Sequence, residues 1–257
     1  MRASRAILGL AVAALLAACG AGVATTAGAG TASPARPPLR VLLLTQTRGY
    51  RHASIPTALA ALQRMARSDG RYALVPLASA AQLGTSTLHR AAAVVFLLTS
   101  GELPLSAAGK QALSAFVHGG GALIGFHSAT DTFHHWPGYI GMIGGEFSHH
   151  PLPSTHRLIV EDRGSAATRT LPASFRIHEE FYVFTHDPRR TSHVLVRLDT
   201  GPGGPDRPLA WCRRVGHGRV FYDALGHFPQ TWRDGRLLAL ADGGIDWALG
   251  LGPAGGC

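Results

Sequence analysis

The fold turns on Gly119-Gly120-Gly121-Ala122-Leu123-Ile124-Gly125-Phe126-His127-Ser128. Three glycines end whatever helix precedes them, five apolar residues read as a strand buried on both faces, and a histidine stands where the strand runs out. Upstream, Ser106 is placed to cap a helix carrying Leu113, Phe116 and Val117. Residues 92–98 form another wholly apolar run, residues 40–45 carry an apolar run between Arg40 and Thr45, and residues 72–77 read as a further strand. Between the last two, Ile55, Leu59, Leu62 and Met65 recur at helical spacing, with Pro56 tolerated in a first turn. Strands and helices alternating in this way predict parallel βαβ units.

Downstream the pattern breaks up. Residues 158–161 and 194–198 read as strands among loops between 138 and 208. A hairpin follows, 209–213 with 219–225, turned at Gly216-His217-Gly218, and residues 232–249 close as a helix with a weak point at Gly243-Gly244. The expectation is an α/β domain: an open, mostly parallel sheet with helices on both faces and its polar clusters at the carboxyl ends of the strands. No glycine-rich loop follows the first strand, and the 119–121 run precedes a strand rather than follows one, so no nucleotide cofactor is expected.

The first residues carry an address. Arg2 and Arg5 precede an apolar run at 6–18 that ends in Leu16-Ala17-Ala18-Cys19. A short basic segment, an apolar stretch too short to span a bilayer with ease, and small residues before a cysteine predict a bacterial lipoprotein signal over 1–18, with lipid on Cys19. Residues 19–38 are rich in Ala, Gly, Thr, Ser and Pro and read as a flexible tether. That leaves 39–250 as the folded domain and 251–257 as a tail. The expected location is outside the cytoplasm, on a membrane through the N-terminal lipid.

The formal charge of +9 comes from arginine, since Lys110 is the only lysine. The arginines are scattered, with no basic helix face and no interleaved aromatics, so a nucleic-acid partner is not expected. Cys212 and Cys257 are allowed to pair outside the cytoplasm, but the reading favours Cys212 as a small buried residue and Cys257 as a loose end.

Polar clusters fall where strands end. They include Gly49-Tyr50-Arg51-His52, Phe126-His127-Ser128 with Asp131, Gly144-Gly145-Glu146-Phe147-Ser148-His149-His150-Pro151, Glu179-Glu180-Phe181-Tyr182 and Leu225-Gly226-His227. Together with Pro208-Leu209-Ala210-Trp211-Cys212 and Gly218-Arg219-Val220-Phe221-Tyr222, they resemble the ThuA-like (trehalose utilisation) family in order, over most of 39–250. The resemblance implies a flavodoxin-like, class I glutamine amidotransferase-like fold and a link to trehalose and 3-keto-sugar metabolism. That superfamily's cysteine nucleophile is missing: the turn after the strand carries His127, which excludes thiolate chemistry on glutamine.

The residues themselves point to imidazole and carboxylate chemistry. His52, His127 and His227 all follow sheet strands and are candidate ligands for a divalent metal such as Zn²⁺. His127, Glu180 and His150 are candidate acid/base groups. Equally open is that the histidines act without a metal or bind sugar directly. Tyr50, Ser128, Asp131, Trp136 and Tyr182 are candidate contacts to a sugar-like small molecule, Trp136 and Tyr182 because they are loop aromatics beside the histidines. Asp131 could also cap a helix or orient His127. Ser128 as a nucleophile requires a histidine within about 3 Å of its oxygen. The expected function is an enzyme acting on a sugar derivative; the alternative is a binding lipoprotein that has lost catalysis. Convergence of the histidines and Glu180 in one pocket would separate them.

Overall fold

The computed structural model describes residues 37–252 and Cys257. The expected signal, the lipid site Cys19 and the tether up to residue 36 lie outside the described residues. The chain opens with β1 (Leu39–Leu44), α1 (Ile55–Asp69), β2 (Tyr72–Leu77), the single turn α2 (Thr85–Leu88), β3 (Ala93–Leu97), α3 (Ala107–His118) and β4 (Ala122–Phe126). Then come α4 (Pro137–Ile143), β5 (Phe147–His149), β6 (Ser154–Val160), β7 (Ser174–Glu179), β8 (Val183–Phe184) and β9 (His193–Leu198). The chain closes with β10 (Pro208–Val215), β11 (Gly218–Asp223) and α5 (Gly235–Leu249). One nine-stranded sheet has the order β2-β1-β3-β4-β11-β10-β9-β6-β7, while β5 and β8 form a separate two-stranded ribbon.

The five strands from β2 to β11 are parallel. β3 and β4 are apolar along their length, and β1 from Val41 onward, because helices cover both sides. Successive residues of β11 show the two sides. Phe221 packs against Gly244 of α5, and Tyr222 lies beside Gly125, which faces Ile143 of α4. The remaining strands are antiparallel. Here the two isolated strands expected at 158–161 and 194–198 become a four-stranded wing, β10-β9-β6-β7.

Two expectations change. Gly243-Gly244 is no weak point: α5 runs through it unbroken. A Cβ on Gly243 would stand 2.2 Å from the Ala166 carbonyl oxygen, and one on Gly244 would stand 2.3 Å from the Phe221 ring. The pair lets the helix pack close. Cys257 is also no loose end: it forms a disulfide with Cys212, the two Cα atoms 5.9 Å apart, within the usual span of a bridge.

Candidate functional site

The site sits at the carboxyl ends of the parallel strands, as open α/β sheets place their ligands. β4 delivers His127 on a sharp turn. The residue has a φ of +50°, a left-handed conformation rare without glycine, and a 3₁₀ turn over His127–Asp131 follows. The turn is held from below: the Tyr222 hydroxyl donates to the His127 carbonyl at 2.6 Å, and Thr130 shares a hydrogen bond with that hydroxyl at 2.8 Å. β1 leads to His52, β11 to His227, and β7 to Glu180.

These four converge. One ligand atom from each of His52, His127, Glu180 and His227 lies within 4.8 Å of every other. His52 is 4% exposed, His127 0% and Glu180 4%. His127 Nδ1 faces the Ala224 carbonyl oxygen at 2.7 Å. A carbonyl only accepts, so Nδ1 carries the proton and Nε2 turns a lone pair into the cluster. That Nε2 lies 3.0 Å from His52 Nε2, 3.1 Å from the Tyr182 hydroxyl and 3.3 Å from Glu180 Oε2. His227 Nδ1 lies 3.1 Å from the same Oε2 but too far off line to bond it. It is a buried nitrogen with no hydrogen-bond partner among the described residues.

This donor set fits a divalent ion. Zinc held at about 2.05 Å in a tetrahedron separates its ligand atoms by about 3.3 Å; three of the six spacings here, 3.0, 3.1 and 3.3 Å, lie near that edge, and all six are within 4.8 Å. Burial, then the neighbouring His127 and His227, push His52 down to about 3, so its ring is neutral. Burial opposes ionisation of Glu180, but His127 and His227 outweigh it and hold the carboxyl well below its ordinary range. Burial lowers the His227 pKa, but Glu180 beside it outweighs burial and raises it, so that ring gives up its extra proton when an ion enters.

A cavity of about 400 Å³ opens over the cluster. His150 borders it, with Nε2 3.1 Å from Glu180 Oε1 and Nδ1 donating to the Pro151 carbonyl at 3.0 Å. Tyr50, 63% exposed, stands at its mouth, edge-on to His52 with ring centres 4.7 Å apart. Tyr182 is buried under the cavity wall, its hydroxyl aimed at the cluster. Asp131 also lines the cavity. It neither caps a helix nor orients His127: His134 bridges Asp131 and Glu146, at 2.9 Å each way.

Two expected contacts fall elsewhere. Trp136 turns away from the cavity and packs on Phe133 and Tyr139, with the Lys110 ammonium over its ring at 5.4 Å. Ser128 is buried beneath His52, its oxygen 3.4 Å from His52 Nδ1. That is too long and too enclosed for a nucleophile, and the elbow position itself belongs to His127. Sequence reading missed Glu179, Thr231 and Ser54, which hold the loop carrying His227. The doubled Glu179-Glu180 was the available signal.

The chain matches the family described as ThuA, trehalose utilisation, over residues 40–248. Among solved structures it is similar to a ThuA-like protein from Bacteroides uniformis ATCC 8492, with 20% identity, TM-score 0.68, and 85% of this chain and 94% of that one covered. It is also similar to one from Parabacteroides merdae ATCC 43184, with 17% identity, TM-score 0.64, and 82% and 90% covered. A β-galactosidase from Rahnella sp. R3 contains a comparable fold, with 14% identity, TM-score 0.56, and 84% and 32% covered. At these identities the likeness is one of fold. No curated protein sequence matches the chain.

Proposed function

The chain belongs to the trehalose utilisation (ThuA) family, and on that premise we propose that it is an extracytoplasmic enzyme acting on a sugar or 3-keto-sugar derivative at a carbonyl-bearing carbon. The observation that carries the reading is the convergence of His52, His127, Glu180 and His227 beneath one cavity. That gathering is what an enzyme needs and a binding protein without catalysis does not. These four residues would hold a divalent metal such as Zn²⁺, which would supply Lewis acidity to a sugar carbonyl or to water by accepting it as a further ligand.

The chain's own groups do the rest. Tyr182 stays protonated, since burial raises its pKa well above that of a free phenol, and it donates a hydrogen bond toward the substrate oxygen. His150, whose Nδ1 proton is held by the Pro151 carbonyl, takes the proton from the sugar carbon or hydroxyl at Nε2 and passes it to solvent, with the Glu180 carboxylate 3.1 Å away stabilising the charge it gains. Asp131 and Tyr50 contact sugar hydroxyls and ring at the mouth. Isomerisation, elimination and hydrolysis beside a carbonyl all begin with such a transfer.

The test is turnover of 3-keto-glucosides by the purified protein. Activity lost in His127→Ala and Glu180→Ala supports the proposal; a protein inert toward every keto sugar overturns it. The leader at 1–18 and Cys19 support an exported, lipid-anchored location. Labelling with a tagged fatty acid that is lost in Cys19→Ser supports that part, and an unlabelled wild type refutes it.

A further inference from the structure

We propose that Glu179 is a positioning residue of the cluster: its carboxylate straps the backbone at Glu180 to the backbone at Gly226, and so sets the reach between Glu180 and His227. The inference rests on the metal reading above.

Glu179 is the last residue of β7. Phe175, Ile177 and Glu179 alternate inward along that strand, so a carboxylate stands where an apolar side chain is the rule. It is 0% exposed, and no Arg, Lys or His forms an ion pair with it among the described residues. Both oxygens are nonetheless engaged. Oε1 accepts the Glu180 backbone N–H at 2.9 Å. Oε2 accepts the Gly226 backbone N–H at 3.0 Å and the Thr231 hydroxyl at 2.6 Å. One side chain thus bonds the backbone of one candidate ligand and the residue just before another.

The far end of the strap has no slack. The Gly226 carbonyl accepts from Ser54 Oγ at 2.8 Å and from Trp232 Nε1 at 3.0 Å. Gly226 has a φ of +131°, where side chains are strained, and a Cβ there would stand 3.1 Å from the Trp232 indole. Ser54 lies two residues from His52, so the same loop is tied to a third ligand. An apolar residue would fill this volume at less cost than a buried carboxylate. What it could not do is hold two backbone N–H groups from distant segments at a fixed separation.

The experiment compares wild type, Glu179→Gln and Thr231→Val. Glutamine keeps the shape but offers one acceptor oxygen and an NH₂ to donors that need two acceptors. Zn²⁺ affinity is read by competition with a chromogenic chelator, and geometry by the visible spectrum of the Co²⁺ form. The expected result is a roughly 10–100-fold loss of affinity with an altered Co²⁺ spectrum in Glu179→Gln, and a smaller loss in Thr231→Val. A merely structural residue would lower the melting temperature and leave both readouts unchanged, which overturns the proposal. If Glu179→Gln does not fold, Thr231→Val decides, and wild-type affinity in that variant counts against the strap. If wild type itself takes up no metal, the metal reading fails on its own. A crystal structure of the variant then decides the strap: a displaced His227 supports it, and an unmoved one overturns it.

Discussion

His52 Nε2 and His127 Nε2 lie 3.0 Å apart on two buried rings, with His127 Nδ1 already committed to the Ala224 carbonyl. Two ring nitrogens at this distance need a proton or a cation between them. In the chain alone His52 must donate from Nε2, which leaves its Nδ1 to accept from Ser128 Oγ. With a metal held by both Nε2 atoms, the His52 proton moves to Nδ1 and Ser128 becomes the acceptor.

That exchange is observable. Nitrogen-15 NMR of the histidine rings should place the His52 proton on Nε2 in metal-free protein and on Nδ1 after one equivalent of Zn²⁺, with His127 protonated on Nδ1 throughout. A His52 ring whose tautomer ignores zinc contradicts its role as a ligand.

Tyr182 donates toward the same His127 lone pair, at 3.1 Å, and so competes with an ion for it. Tyr182→Phe should therefore keep or modestly raise Zn²⁺ affinity while turnover of the accepted sugar falls about 10²–10³-fold, the usual scale for losing one such donor. Loss of metal together with activity would instead make Tyr182 a structural support of the ligands.

Stability should depend on pH through Asp223, which is buried away from the cavity and accepts only from the Leu225 N–H among the described residues. Burial, only partly offset by that bond, pushes its carboxyl from 3.8 up to about 8. The folded chain therefore holds a proton that the unfolded chain releases near pH 4. The contribution is full below that pH and is lost as pH rises through about 8. Urea midpoints should fall between pH 5 and pH 8 in wild type by more than in Asp223→Asn; equal falls would contradict the assignment.

The disulfide closes a 45-residue separation between Cys212 and Cys257. Cys212→Ser should cost about 2–4 kcal/mol of unfolding free energy by denaturant titration, with metal content unchanged because neither cysteine is among the cluster residues. An unchanged midpoint would show that the bridge contributes nothing to stability.

Much of this is legible in the sequence. β1, β3 and β4 announce themselves because strands covered on both faces are apolar where they are buried. His52, His127 and His227 follow sheet strands, so their meeting at one edge was a topological expectation. The antiparallel wing was harder to read. β6 and β7 are buried on one face only, and in β7 the inward position of Glu179 breaks the apolar alternation. Trp136 misled because an aromatic beside a histidine cluster looks like a sugar platform, whereas its ring packs back on Tyr139. The Glu179 strap joins residues 47 and 52 positions apart, and no local pattern reports such a bond.

The central claim is that His52, His127, His227 and Glu180 hold one metal ion. Its most direct test is elemental analysis of the purified protein after incubation with Zn²⁺ and removal of free ion, beside His127→Ala. The account predicts one equivalent in wild type and less than a tenth of that in a folded His127→Ala. No metal in wild type, or the same metal in both, would contradict it.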